Sequence, residues 1–187
     1  KKNADYWDAE TVKLDEINVK VVKEVSTGVN LYTAQQIDIS PGLTSDFVTQ
    51  YKEDPDLISY LEPTIFWFKF NQTKNEALAN VNIRKAISMG FNKQDMADYV
   101  LNNGSIPANY SVPVEFVQHP ETGEDFREKN GDINAFDAEK AKEHWEKGLE
   151  ELGTDAITIE ILGGDTETAK TMQEYLQNQL QENLPGL

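Results

Sequence analysis

Between residues 64 and 103 the spacing of apolar positions changes from every second residue to a helical period. The run Ile65-Phe66-Trp67-Phe68-Lys69-Phe70 is aromatic and β-branched, a composition that packs well on a pleated surface, so it predicts a strand. A side-chain period of two puts Phe66, Phe68 and Phe70 on one face and Ile65, Trp67 and Lys69 on the other. Lys69 is the anomaly on a strand that is apolar on both faces. Either it snorkels to solvent from a sheet edge, or it points into a wet cavity. Downstream, Ile83, Ala86, Ile87, Gly90 and Phe91 share one face of a predicted helix that Asn80 or Asn82 can cap. Asn92 caps a second helix bearing Met96, Tyr99 and Val100, and Asn102, Asn103 and Gly104 supply residues suited to a left-handed C-terminus.

The rest of the chain alternates in the same way. Ile17, Val19 and Val21 share one face of a predicted half-buried strand over residues 14–22. Ser26 or Thr27 starts a short helix with Val29, Leu31 and Tyr32 on its apolar side. Ile37-Asp38-Ile39 is a short strand, broken by Ser40, Pro41 and Gly42. Thr44 or Ser45 caps a helix that ends before Pro55. An irregular passage follows Gly104 as far as about residue 135, with Pro107, Pro113 and Pro120. A loop of that length is functional or is wrapped over a larger body. Asp137 caps a helix carrying Ala138, Ala141, Trp145, Leu149 and Leu152, which Gly153 ends. Ile157, Ile159 and Ile161 alternate with Thr158, Glu160 and Leu162 as a further strand. Gly163 and Gly164 follow it, and Asp165 is placed to cap a last helix bearing Ala169, Met172, Leu176, Leu180 and Leu184. The predicted class is α/β, mixed sheets with flanking helices.

Composition narrows the function more than the fold. With 187 residues, 39% hydrophobic and 27% charged, the chain is globular and large enough for one domain or two small ones. Its 17 basic and 33 acidic residues give a net charge of -16, which argues against nucleic acid or an anionic membrane as a partner. There are no cysteines, so disulfides, thiolate metal sites and thiol nucleophiles are excluded. No apolar run approaches the ~20 residues of a membrane helix, and no signal peptide is visible. The start at Lys1-Lys2-Asn3 and the stop just after Leu184-Pro185-Gly186 read as cuts in a longer protein.

Enzymatic chemistry finds no support. The two histidines are His119, in the irregular passage, and His144, on the predicted 137–152 helix. The positions facing His144 are Lys140, Ala141, Lys147 and Gly148, none of them a plausible ligand, so no metal is expected. No serine sits in a strand–turn–helix elbow and no acid/base pair converges, so neither catalysis nor a cofactor is expected. Glu139, Glu143, Glu146, Glu150 and Glu151 read as a solvated helix face. The turn at Gly163, Gly164 and Asp165 has two readings. Its free N–H groups at a helix start can hold an anion or carboxylate, or it is a plain tight turn with a capping aspartate. Asp165 would repel phosphate.

The order of these signals resembles the extracellular solute-binding proteins of family 5, the oligopeptide-binding lipoproteins of ABC importers. Asn3-Ala4-Asp5-Tyr6-Trp7-Asp8 resembles that family's N-x-x-Y-W stretch, and Leu31-Tyr32 through Ile37-Asp38-Ile39 its L-Y-x-x-G-E-I-D segment. Gln35-Gln36 stands where Gly-Glu is usual, so a tighter or shifted turn is expected there. Phe68-Lys69-Phe70-Asn71 is similar to the family's aromatic strand. Val81-Asn82-Ile83-Arg84-Lys85-Ala86-Ile87 is similar to its V-R-x-A-(I/L) helix, and Asn92-Lys93 stands where D-R is common. Pro107-Ala108 with Pro113, Phe136-Asp137 to Ala141, and Asn183-Leu184-Pro185-Gly186 match later elements.

This resemblance implies a fragment of a two-lobed binding-protein fold. Residues 1–63 would belong to the first lobe and residues 64–187 to the last, with a hinge crossing near Pro63 and Thr64. It implies capture of extracellular oligopeptides in an inter-lobe cleft and delivery to a membrane permease. A dipeptide, a pheromone peptide or a nickel complex is the alternative ligand, and an acidic interaction domain without a ligand is the alternative class. Ser40, Pro41 and Gly42, then Trp67, Lys69 and Asn71, then Gly163, Gly164, Asp165, Thr166 and Thr168 would face the cleft, which favours the pocket-facing reading of Lys69. The resemblance also implies a cell-surface or periplasmic location, with a lipid anchor outside this chain. The family's amine-anchoring aspartate lies beyond Leu187, so the 187-residue chain is expected not to bind peptide alone and to self-associate through exposed sheet edges.

Overall fold

The computed structural model describes all 187 residues. The chain divides into two compact units, Lys1–Gly42 and Leu43–Leu187. The position proposed for a lobe crossing, Pro63 and Thr64, therefore lies inside the second unit.

The first unit is built on helix α1, Val25–Thr33, which buries Gly28 and Val29. It starts slightly earlier than Ser26 or Thr27 would place it, with Glu24 at the N-cap. A Cβ on Gly28 would lie 2.8 Å from the Ser40 hydroxyl, so glycine lets the segment after residues 37–39 close against the helix. The turn that ends α1 forms without a glycine. Gln35 takes the left-handed conformation itself, at φ 55°, and the Gln36 N–H donates to the Leu31 carbonyl at 2.9 Å. Residues 14–22 form no ladder, and Val19 and Val21 are 80% and 95% exposed.

The second unit holds α2 (Ser45–Tyr51), α3 (Glu76–Ala79), α4 (Val81–Met89), α5 (Lys93–Asp95), α6 (Phe126–Asn130), α7 (Ala138–Leu152) and α8 (Glu167–Asn183). Asparagine caps behave as the sequence predicts. Asn80 Oδ1 accepts from the Asn82 and Ile83 N–H groups, and Asn92 Oδ1 from those of Gln94 and Asp95. After α5 the backbone widens into a π-helical turn, Met96–Leu101, closed by the Asn102 N–H on the Ala97 carbonyl. The last helix corrects the sequence reading: Thr166, not Asp165, is its N-cap, because the Thr166 hydroxyl accepts the Ala169 N–H at 3.3 Å.

The core forms where α4 and α7 pack on each other, with α8 laid alongside. Ile83, Ala86, Ala141 and Trp145 are fully buried, and Leu176, Leu180 and Leu184 of the α8 region complete the cluster. Gly148 makes the approach possible: a Cβ there would lie 2.5 Å from Ile83 Cδ1. Hydrogen bonds fix the antiparallel register. At one end Asn80 and Asn82 Nδ2 donate to the Glu151 carboxylate at 2.8 and 2.9 Å. At the other the Asp137 N–H donates to the Met89 carbonyl at 3.1 Å. The bonds from Asn80 and Asn82 hold the Glu151 carboxyl below the usual carboxylate range. With its Nδ2 on Glu151, Asn82 presents Oδ1 to His144 Nδ1 at 3.0 Å, so that ring nitrogen carries a hydrogen. Trp145 Nε1 donates to the Pro185 carbonyl at 2.7 Å, which ties the C-terminal turn to α7.

The predicted strands at residues 14–22, 37–39, 65–70 and 157–162 are not joined by any ladder. One antiparallel bridge, Gln118 with Asp125, closes a small hairpin within the irregular passage. A strand is defined by its neighbour, and these four runs do not pair with one another. No helix is long and apolar enough to cross a membrane.

Gly148→Ala is expected to destabilise the chain by about 1–2 kcal/mol, the overpacking cost less the better helix propensity of alanine. Ile83→Val removes the facing methyl, so the double variant should lose less than the sum of the two single losses in urea denaturation. Additive losses would mean that the two residues do not meet.

Candidate functional site

The run at residues 65–70 lies against α4, and residues from both of its faces line one depression there. Phe68 packs edge-on against Phe91, with ring centres 5.8 Å apart, and lies 6.2 Å from Phe70, which reaches the core. Phe66, on the same face by period, is 88% exposed. Trp67 and Lys69 line an open depression of about 430 Å³, together with Arg84, Lys85 and Ser88 of α4 and Asn134. Three cationic side chains thus converge in a chain of net charge -16. Arg84 is already engaged: its Nη1 donates to the Leu78 and Ala79 carbonyls at 2.9 and 2.8 Å, closing the end of α3. Lys69 and Lys85 are exposed. An indole beside two amines suits a ligand with a carboxylate next to an apolar group.

Asn71 stands beyond this depression. Its Oδ1 accepts from the Lys74 N–H and the Thr73 hydroxyl, both at 3.1 Å, so it shapes the loop that leads into α3. The turn at Gly163 and Gly164 does not line the depression either. Gln173 folds back over it, donating from Nε2 to the Gly164 carbonyl at 3.0 Å and the Ala169 carbonyl at 2.9 Å. A Cβ on Gly163 would lie 2.7 Å from that amide, so glycine here admits a glutamine. Thr166 caps α8, and Thr168 is half-buried in its first turn. Ser40, Pro41 and Gly42 belong to the first unit, where Ser40 is half-buried against Gly28 and Gly42 is left-handed at φ 71°. The structure therefore gathers Trp67 and Lys69 into one surface and leaves Asn71 outside its lining. It leaves the glycine loop of the second unit as a separate feature.

Pattern reading passed over Arg84, Lys85 and Ser88, although a signal existed. They occupy the polar side of α4, opposite Ile83, Ala86 and Ile87. Lys93 supports the floor beneath them. Its Nζ donates to the Ser88 and Asn134 carbonyls, each at 2.7 Å, and sits 4.8 Å from the centre of the Phe91 ring. Burial lowers its pKa to about 8, with Asp132 pulling the other way. A neutral amine still has two N–H groups, enough for both carbonyls.

The family model described as Bacterial extracellular solute-binding proteins, family 5 Middle matches residues 1–187. The Dipeptide-binding protein of Lactococcus lactis subsp. cremoris is 31% identical over 194 residues, covering 99% of this chain and 35% of that protein. The solved structure of Listeria monocytogenes OppA bound to peptide superposes with a TM-score of 0.92 at 42% identity, covering 97% of this chain and 36% of that one. The substrate-binding domain of an oligopeptide ABC transporter from Bacillus anthracis str. Ames gives a TM-score of 0.89 at 42% identity, covering 100% and 36%. The chain thus spans about a third of the length of the relatives it matches.

Lys93 sets a pH dependence. Its folded pKa of about 8 lies below the ordinary 10.5, so between those values the unfolded chain binds more protons and stability rises with pH. The urea midpoint should therefore climb from pH 8 to pH 10 relative to that of Lys93→Met, and the two should run parallel below pH 7. Parallel curves throughout would refute the assignment.

Proposed function

Because the chain belongs to the bacterial extracellular solute-binding proteins, family 5, we propose that the whole protein is the substrate-binding component of an ABC importer. It captures extracellular oligopeptides in a cleft between two lobes and delivers them to a membrane permease. The observation that carries this reading is the likeness, over 97% of the chain, to a protein solved bound to peptide. The family consists of solute-binding proteins, which supports binding rather than catalysis.

In this reading the runs at residues 14–22, 65–70 and 157–162 become strands of mixed sheets when paired with the remainder of the whole protein. Their exposed apolar positions support that: Val21 is 95% and Leu162 96% exposed. Residues 1–63 belong to one lobe and residues 64–187 to the other, crossing near Pro63 and Thr64. Lys69, Trp67 and Asn71 face the ligand, Lys69 receiving a carboxylate. Ser40, Pro41 and Gly42, with Gly163, Gly164, Asp165, Thr166 and Thr168, offer backbone groups to the peptide main chain. Main-chain recognition with hydrated side-chain space suits varied sequences. A lipid anchor outside this chain holds the protein at the cell surface. The Lactococcus relative is named for dipeptide binding, and a dipeptide ligand is the second reading.

Two experiments test this. The 187-residue chain should give no heat with mixed peptides in calorimetry and should associate as its concentration rises, whereas the longer natural protein should bind at micromolar levels. Micromolar binding by the short chain would contradict the divided site. In the longer protein, Lys69→Glu should weaken acidic peptides about tenfold and leave neutral ones little changed, since a charge-assisted hydrogen bond is lost. An equal loss for both classes would assign Lys69 to the terminal carboxylate, and no loss for either would remove it from ligand contact.

A further inference from the structure

The chain contains two Asn-Gly pairs, Asn103-Gly104 and Asn130-Gly131, and the structure treats them in opposite ways. We propose that Asn103 is a site of spontaneous deamidation and that Asn130 is protected from it. In this chemistry the backbone nitrogen of the following residue attacks the asparagine Cγ. Its proton passes to water, the Cγ–Nδ2 bond breaks and ammonia leaves, giving a succinimide. Water then opens the ring at either carbonyl, yielding aspartate or isoaspartate. Glycine is the most permissive successor because no side chain obstructs the ring.

At the first pair the reacting groups are free and the carbonyl is activated. Asn103 and Gly104 are both exposed, and a Cβ on Gly104 would meet only the Ser59 hydroxyl, at 3.9 Å. The Asn103 Oδ1 accepts the Ser105 N–H at 3.1 Å. That bond closes a short turn that spans the intervening Gly104 nitrogen. The Ser105 N–H also stabilises the negative charge that develops on Oδ1 during attack, as a donor in an oxyanion hole does. Gly104 is left-handed at φ 81°, just beyond Asn102 at φ 45°, so the peptide lies outside any helix.

At the second pair both partners are engaged. The nucleophile, the Gly131 nitrogen, donates its hydrogen to the Arg127 carbonyl at 2.9 Å. The leaving group, Asn130 Nδ2, donates to the Phe126 carbonyl at 2.7 Å. Together these bonds close the C-terminal turn of α6, and attack requires both to break.

The consequence at Asn103 is local but definite. A new carboxylate appears after the carbonyl end of the π-helical turn, where negative charge is unfavourable. The isoaspartyl product also adds a methylene to the main chain beside Asn102. The side chain of Asn102 donates to the Ser45 carbonyl at 3.3 Å and the Thr49 hydroxyl at 2.9 Å, joining that turn to α2.

The test is incubation of the purified chain at mildly alkaline pH, followed by peptide mapping with mass spectrometry and isoaspartate detection. Asn103 should convert on the order of 30-fold faster than Asn130, the ratio for two hydrogen bonds that must open at only one site. In strong denaturant the two rates should approach each other. Ser105→Pro, which removes the N–H donor to Oδ1, should slow Asn103 conversion about fivefold in the folded chain. Equal folded rates, or faster conversion at Asn130, would overturn the proposal. A ratio that persists in denaturant would overturn its structural basis.

Discussion

The close approach of α4 to α7 at Ile83 and Gly148 is the contact on which the second unit depends. Helix α4 has nine residues, fewer than the ~12–15 at which an isolated helix persists in water, so it exists only as packed. A glycine in the middle of α7 costs that helix about 1 kcal/mol of propensity relative to alanine, which fifteen residues can bear. In return the isoleucine enters the opposing helix surface, and Trp145, one turn away, is fully buried. The bonds at the two ends of α4, to Glu151 and to the Asp137 N–H, then leave no freedom of register.

That register decides where charge is displayed. With Ile83, Ala86 and Ile87 turned to α7, the side of α4 bearing Arg84, Lys85 and Ser88 must face the run at residues 65–70. Arg84 is committed to the α3 carbonyls, and Lys93 is drawn beneath Ser88 and Asn134. Lys69 and Lys85 remain as the exposed amines of the depression. The lysine that looked out of place in an aromatic run is thus exposed beside a second exposed amine.

What was legible in the sequence was local. Helical spacing located Ile83, Trp145 and Leu180, and the caps at Asn80, Asn92, Asp137 and Gly153 stand where their chemistry places them, because a cap answers to backbone groups two or three residues away. The preference of Thr166 over Asp165 and the π-helical turn at Met96 turn on a single residue of phase, which composition does not encode. Gly148 was visible only as a position facing His144, since its purpose lies on another helix. Gln173 over Gly163 was missed for the same reason.

The strands mark the sharper boundary. Their side chains are those of strands, yet Val19, Phe66 and Leu162 stand exposed, and the backbone makes no ladder. Strand propensity describes fitness for a half-buried surface and not an intrinsic backbone state, so it is realised only when a neighbour arrives. The helical core needs no such neighbour, because its contacts join α4, α7 and α8 within the second unit. The chain superposes on its solved relatives over 97% and 100% of its length, so the extended runs follow the same path as theirs although no ladder joins them here. The elements that fix the shape of the second unit are thus local to this chain: helices that cap themselves and bury their apolar faces on one another.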